Sequence, residues 1–241
     1  MEQGNTDMRR IDEFLDLYKQ LEDALEDKYR NARRHYSSVV FEFARDDDSL
    51  PVRNKLDICR EIRNLLTHNP NLEGEPIVEP SEPVLRAIRE VLEFVRRPPL
   101  AMDYATKADQ VMKAHLGQRV LRLMEVMDKN GYSHIPVMDE GEFRGVFSVG
   151  TMFQYLLRSK GKGITQDTTL RELGKYLEVQ AHMENYAFVS KDTTYMEVRR
   201  MFQRVRGKNK RLSVIFLTEH GKEGEPLLGM LTPWDVMREP E

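Results

Sequence analysis

Residues 132–148 read YSHIPVMDEGEFRGVFS, and the chain says much the same thing again eighty residues later. SHIPVMDEG at 133–141 lines up with SVIFLTEHG at 213–221, and GVFSVGTM at 145–152 lines up with GMLTPWDV at 229–236. The runs IPVMD, FRGVFS, YAFVS, SVIFLTE and LLGML are short and rich in β-branched and aromatic residues, which is the pattern of strands. Upstream of each pair, GQRVLRLMEVM and DTTYMEVRRMF share the apolar spacing of a helix. One strand-helix-strand-strand-helix unit therefore occurs twice. Neither copy can bury its sheet face alone, so the two are expected to pack together.

Working back from the repeat, the grammar changes. From Met8 to Arg97 apolar residues recur every three or four positions and nothing alternates with a period of two. Ile11, Phe14, Leu15, Tyr18, Leu21 and Leu25 make one stripe. Ile58, Ile62, Leu65 and Leu66 make another, and Val84, Leu85, Ile88, Val91, Leu92 and Val95 a third. Val39, Val40, Phe41 and Phe43 belong to a shorter element between them. ARDDDSLP, NPNLEGEPIVEPSEP and RRPP carry the residues that stop or cap helices. The expectation is an α+β two-domain chain: an all-α bundle over residues 1–98, then 99–241 with a first repeat at about 105–160 and a second at about 165–238. RRPP, short and stiff, is expected to transmit movement between them.

Composition bounds what the chain can do. At 241 residues it can build two modest cores, and 40% hydrophobic with 32% charged residues fits a globular protein. A net charge of -3 excludes a generally basic nucleic-acid coat, so a polyanion must find a local patch and DNA is not an expected partner. A single cysteine, Cys59, forms no intrachain disulfide and suggests a reducing compartment, the cytoplasm. No apolar run approaches the ~18 residues of a membrane span, so no membrane partner is expected. The six histidines are scattered without zinc-ligand spacing, and there is no glycine-rich phosphate loop, so no metal is expected.

The repeated unit, carried by YSHIPVMDEGEFRGVFS, YAFVSKDTTYMEV and GMLTPWDVM, resembles the cystathionine-β-synthase (CBS) domain, and its duplication resembles a tandem CBS pair, the Bateman module. The resemblance implies an adenosine-containing ligand in the cleft between two sheets, with a Ser/Thr-x-x-Asp element holding the ribose. That element reads Thr232, Pro233, Trp234, Asp235 in the second repeat and Ser148, Val149, Gly150, Thr151 in the first, where the carboxylate is missing. One nucleotide site per chain is therefore expected, around Asp235. It also implies backbone contacts to the base from Ala187, Phe188 and Val189, with Thr193 or Thr194 close by. For phosphates the candidates are His134, Lys210 and Arg211. The same residues have plainer readings. Thr232 and Asp235 suit an ordinary helix N-cap, and the seven Lys and Arg among residues 199–211 suit a solvated face.

One further stretch stands apart. EIRNLLTHNP at 61–70 places Arg63, Asn64 and His68 at the end of a helix. In metal-independent RNA cleavage a 2′-hydroxyl attacks phosphorus, a histidine moves the protons, and a guanidinium binds the charge that gathers. Arg63 and His68 are a minimal kit for this, and Asn64 lies one turn before His68, where it can orient the ring. The bare spacing also occurs in RNARRH at 30–35, which lacks large apolar anchors, whereas Leu65 and Leu66 seat the later copy and Asn69-Pro70 ends its helix. In that setting the stretch resembles the active motif of the HEPN superfamily, helical bundles that include prokaryotic ribonuclease toxins and defence effectors. The resemblance implies a homodimer with both motifs in one cleft and RNA as substrate. At a helix C-terminus Arg63 and His68 also suit the macrodipole with no chemistry at all.

Together these readings lead to the expectation of a homodimeric endoribonuclease controlled by a regulatory adenine nucleotide, AMP, ADP or ATP, with no other cofactor. The alternative is a nucleotide sensor whose helical domain serves dimerisation or partner docking.

Overall fold

The computed structural model describes residues 2–29, 38–68, 71–161, 163–178, 184–204 and 212–237, with the side chains of 2–9, 27 and 28 left aside. The chain divides at Pro99/Leu100 into two compact units.

The first unit is helical: α1 (Glu2–Tyr29), α2 (Val39–Arg45), α3 (Arg53–His68) and α4 (Glu82–Arg96), with a small hairpin of β1 (Asn71–Leu72) and β2 (Glu75–Pro76) before α4. Ser38 caps α2, its Oγ accepting from the Phe41 amide at 3.2 Å. α1 packs on α4 and α2, and α3 packs on α4. Phe14, Tyr18, Leu21 and Leu25 of α1 meet Leu85, Ile88, Val91 and Leu92 of α4 in the buried core. Each such fully buried side chain contributes about 1.5–3 kcal/mol.

The α3 stripe is a correction to the sequence reading. Of the expected stripe Leu66 is buried, together with Leu56 and Cys59, and Ile62 packs against the core, while Ile58 and Leu65 are 50% and 42% exposed. The helix turns its Leu56-Cys59-Leu66 line inward. Ile62, partly buried, fits both phases, which is why the apolar spacing alone chose the wrong one.

The second unit is mixed α+β. α5 (Ala101–Tyr104) and β3 (Thr106–Lys107) open it, followed by α6 (Val120–Asn130), β4 (His134–Asp139), β5 (Glu142–Ser148), α7 (Val149–Arg158) and α8 (Gly174–Leu177). Then come β6 (Asn185–Ser190), α9 (Tyr195–Gln203), β7 (Leu212–Thr218), β8 (Gly229–Leu231) and α10 (Pro233–Val236). The second repeat is β6-α9-β7-β8-α10. In the first, the opening strand shrinks to a single parallel bridge from Ala114 to Val137, ahead of α6-β4-β5-α7.

β4 and β5 pair antiparallel, and a separate sheet runs β3-β8-β7-β6 with β6 and β7 parallel. Thr106 pairs with Met230 and Lys107 with Gly229, so a two-residue strand from the head of the unit completes the second repeat's sheet. Val146 of β5 packs with Tyr186, Val214 and Phe216 in a small core between the repeats. Gly145 sits in β5 at φ +142°, where a side chain is strained, and a Cβ there would run into the Leu177 backbone carbonyl. The glycine thus lets α8 lie directly on the strand.

Candidate functional site

In the second repeat, β8 ends at Leu231 and Thr232 stays extended at φ -114°, ψ 168° before Pro233 starts α10. This turn places Asp235 three residues on, facing back. Its Oδ2 accepts from the Thr232 amide at 2.6 Å and from the Thr232 hydroxyl at 2.8 Å. Its Oδ1 has no hydrogen-bond partner among the described residues. Trp234, between them, is 73% exposed.

The strand expected to touch the base lies elsewhere in the sheet. Ile215 of β7 pairs with both Leu231 and Ala187, so β7 separates β8 from β6 and Ala187 stands two strand spacings, roughly 10 Å, from Leu231. Ala187 and Val189 turn into the core under α9. Phe188 packs edge-on against Phe143 at 5.3 Å on the opposite face. A cavity of about 530 Å³ at the far end of β6 takes in Phe188, Val189, Thr193, Arg200 and His220, but its lining does not include Thr232 or Asp235. Lys210 and Arg211 lie outside the described residues, as do residues 30–37 with the RNARRH copy and Asn69-Pro70.

In the first repeat, Ser148 caps α7 and Thr151 takes the place of the aspartate. Thr151 Oγ1 accepts from the Ser148 amide at 3.0 Å and donates to the Val146 carbonyl at 3.0 Å. A carboxylate is nevertheless present, brought from the residue before β6. Glu184 Oε2 accepts from Ser148 Oγ at 2.7 Å and from the Tyr186 hydroxyl at 3.0 Å, while Oε1 lies 3.2 Å from His134 Nε2. His134 Nδ1 lies 2.8 Å from Ser133 Oγ, so both ring nitrogens have partners inside the protein. Burial alone would raise the Glu184 carboxyl. Hydrogen bonds from His134 and Ser148, the His134 charge and the Tyr186 hydrogen bond outweigh it and bring the group down to about 2. Burial, then the neighbouring Glu184 charge, pushes the Tyr186 hydroxyl up. Glu184 and Tyr186 had no local signature in the sequence; His134 is fifty positions from its partner.

On α3, Arg63 is drawn toward α1, with Nη2 3.8 Å from Glu22 Oε1 and Cζ 5.7 Å from the Tyr18 ring centre. Its backbone carbonyl accepts from Thr67 Oγ1 at 2.6 Å. Asn64 and His68 are exposed, one turn apart, beside exposed Leu65. The structure therefore splits the motif: the guanidinium rests on the bundle, the imidazole and amide face outward. Among the described residues, no three His, Cys, Asp or Glu side chains are grouped to hold a metal ion, and no helix is long and apolar enough to cross a membrane.

Comparison with known proteins matches residues 93–158 to the CBS domain. No curated protein matches the chain. Among solved structures, CBSX2 in complex with AMP is 17% identical, with 58% of this chain and 94% of that chain covered and a TM-score of 0.41. The CBS domain pair of protein MJ0100, in complex with 5′-methylthioadenosine and S-adenosyl-L-methionine, is also 17% identical, with 58% and 93% covered and a TM-score of 0.41. The CBS domain of the bacterial CNNM/CorC family Mg2+ transporter in complex with ATP is 16% identical, with 63% and 92% covered and a TM-score of 0.42. The family match spans α6 to α7 with the residues that lead into them.

Proposed function

We propose that the chain is a regulatory protein whose second repeat binds an adenosine-containing ligand, AMP, ADP or ATP, at Thr232 and Asp235. The observation that carries this reading is the asymmetry of the Asp235 carboxylate. Oδ2 is fixed by two hydrogen bonds from Thr232, and Oδ1 is unused among the described residues. A ribose presents two adjacent hydroxyl donors, and a carboxylate already immobilised by one oxygen loses little freedom when the other accepts them. Pro233 stiffens the turn that holds it. Calorimetry with AMP and ATP tests this: one ligand per chain in the wild type, and at least roughly tenfold weaker binding in Asp235→Ala, the scale of a lost charge-assisted hydrogen bond.

A second reading concerns the helical unit. Ile58 and Leu65 are exposed two turns apart on α3, and His68 follows Leu65 by one turn on the same side. A second copy docking on this face would bring two His68 rings and two Asn64 amides together, as a metal-independent endoribonuclease acting as a homodimer requires. His68 would move the proton of the attacking 2′-hydroxyl, Asn64 would orient the ring, and Arg63 would exchange its long contact with Glu22 for the phosphorane. A ligand that binds one arrangement of the dimer better than another would shift the population, and with it the cleavage. Incubation with RNA in EDTA separates this from a docking role: cleavage ending in 2′,3′-cyclic phosphates and abolished in His68→Ala supports the enzyme. An inert wild type, with and without nucleotide, leaves the unit a dimerisation or docking domain.

A further inference from the structure

Glu184 immediately precedes the second repeat's first strand, yet its carboxylate serves the first repeat. Among the described residues, donors from three separate elements converge on it: His134 at the start of β4, Ser148 at the cap of α7 and Tyr186 on β6. Gly150 makes the room, since a Cβ there would stand only 3.0 Å from Glu184 Oε2. Both repeats thus end with a helix-cap hydroxyl donating to a carboxylate, Thr232 to Asp235 and Ser148 to Glu184. They differ in how the carboxylate is used. Asp235 is held by its own turn and keeps one oxygen open, whereas both oxygens of Glu184 are engaged and the residue arrives from another strand.

We infer that Glu184 is a built-in anion that closes the first repeat, occupying the position that His134, Ser148 and Tyr186 would otherwise offer to a ligand's phosphate, and tying β4 and α7 to β6 while it does so. A donor set of imidazole, hydroxyl and phenol suits a phosphate oxygen as well as a carboxylate oxygen. The side chain is rooted in the backbone at the head of β6, so its local concentration at these donors far exceeds that of a free anion. The first repeat therefore stays shut to phosphate in the wild type and opens when the carboxylate is removed or swings out.

The test uses the full chain carrying Asp235→Ala throughout, so that the second repeat's behaviour does not enter. Inorganic phosphate and AMP are titrated by calorimetry, with the His134 ring resonances as local reporter. Adding Glu184→Ala gives one phosphate per chain, bound roughly tenfold or more tighter than without it, with the His134 resonances moving in step, and Ser148→Ala on top removes the gain. AMP binding in parallel with phosphate assigns the position to the phosphate group of a nucleotide as well as to the free ion. Equal responses with and without Glu184, or phosphate binding at His134 while Glu184 is present, overturn the inference. If Glu184→Ala fails to fold, Glu184→Gln keeps the volume and the acceptor but not the charge. Phosphate binding above the parent then supports closure, and parity with the parent overturns it.

Discussion

Ser148 and Glu184 stand thirty-six positions apart and meet at 2.7 Å, a hydroxyl donated across the two repeats to a carboxylate. In the second repeat the matching pair, Thr232 and Asp235, is three positions apart and meets at 2.8 Å. Both helix starts hold a hydroxyl–carboxylate contact, but the carboxylate comes from a different place in each. One is a local turn that leaves Oδ1 of its carboxylate without a partner among the described residues; the other is a tertiary contact that joins the repeats.

The tertiary contact has a pH signature. The folded Glu184 carboxyl is lowered from an ordinary 4.5 to about 2, so its contribution to stability is fully present above pH 4.5 and is lost as pH falls toward 2. Thermal unfolding followed between pH 6 and 2 should show a fall that begins near 4.5, and Glu184→Gln should flatten part of it. Glu225, likewise lowered to about 2 by hydrogen bonds led by the His220 backbone amide, leaves the remainder of the slope in place. An unchanged acid slope in Glu184→Gln would mean that the three donors do not hold the carboxylate in solution.

What the sequence made legible was the part of the structure encoded within a few residues. The runs IPVMD, FRGVFS, YAFVS and SVIFLTE form strands and LLGML does so over Gly229–Leu231, because β-branched and aromatic residues in short runs prefer a pleated surface. The stripes of α1 and α4 turn inward as their spacing requires. β3 was missed since two residues, Thr106 and Lys107, carry no periodicity and become a strand only through pairing with β8. The phase of α3 was misjudged because Cys59, fully buried, counted for less than the exposed Ile58. The Thr232–Asp235 contact was readable as a helix-start turn because it is local, while that of Glu184 could not be, as nothing near it in the chain announces His134 or Ser148 as partners.

Gly145 tests the close approach of α8 to β5. Alanine at φ +142° is strained, and its methyl group would displace the Leu177 carbonyl. Gly145→Ala should lower unfolding stability by about 2 kcal/mol or more, measured by urea denaturation. Gly163→Ala, where a Cβ meets nothing within 4 Å, should leave the midpoint nearly unchanged.

Cys59 reports on the helical unit. Burial pushes its thiol from 9.0 up to about 12, and it is 0% exposed. A thiol reagent should therefore react only as fast as the bundle opens, and at once in denaturant. Because the folded value is raised, the stability tied to the neutral thiol is complete below pH 9 and disappears as pH rises from 9 toward 12. Tyr18, pushed from 10.0 to about 12 by burial and then by Glu22, adds to the same alkaline loss. Cys59→Ser should keep the fold but weaken it, since it buries a hydroxyl among apolar side chains.

The exposed face of α3 makes a separate forecast. Leu65→Asp places a charge on the exposed face that also carries Ile58 and should shift the chain toward monomer in analytical ultracentrifugation, with any RNA cleavage lost alongside. His68→Ala should abolish cleavage while leaving the sedimentation unchanged. A monomeric wild type, or a Leu65→Asp protein that sediments as the wild type does, would remove this face as the meeting surface.

The most direct measurement is calorimetry of AMP and ATP against the wild type, Asp235→Ala and Glu184→Ala side by side. The account predicts one nucleotide per chain in the wild type, its loss or at least roughly tenfold weakening in Asp235→Ala, and its retention in Glu184→Ala. Nucleotide binding that persists unweakened in Asp235→Ala, or no heat from any adenosine ligand in a folded wild type, would contradict it.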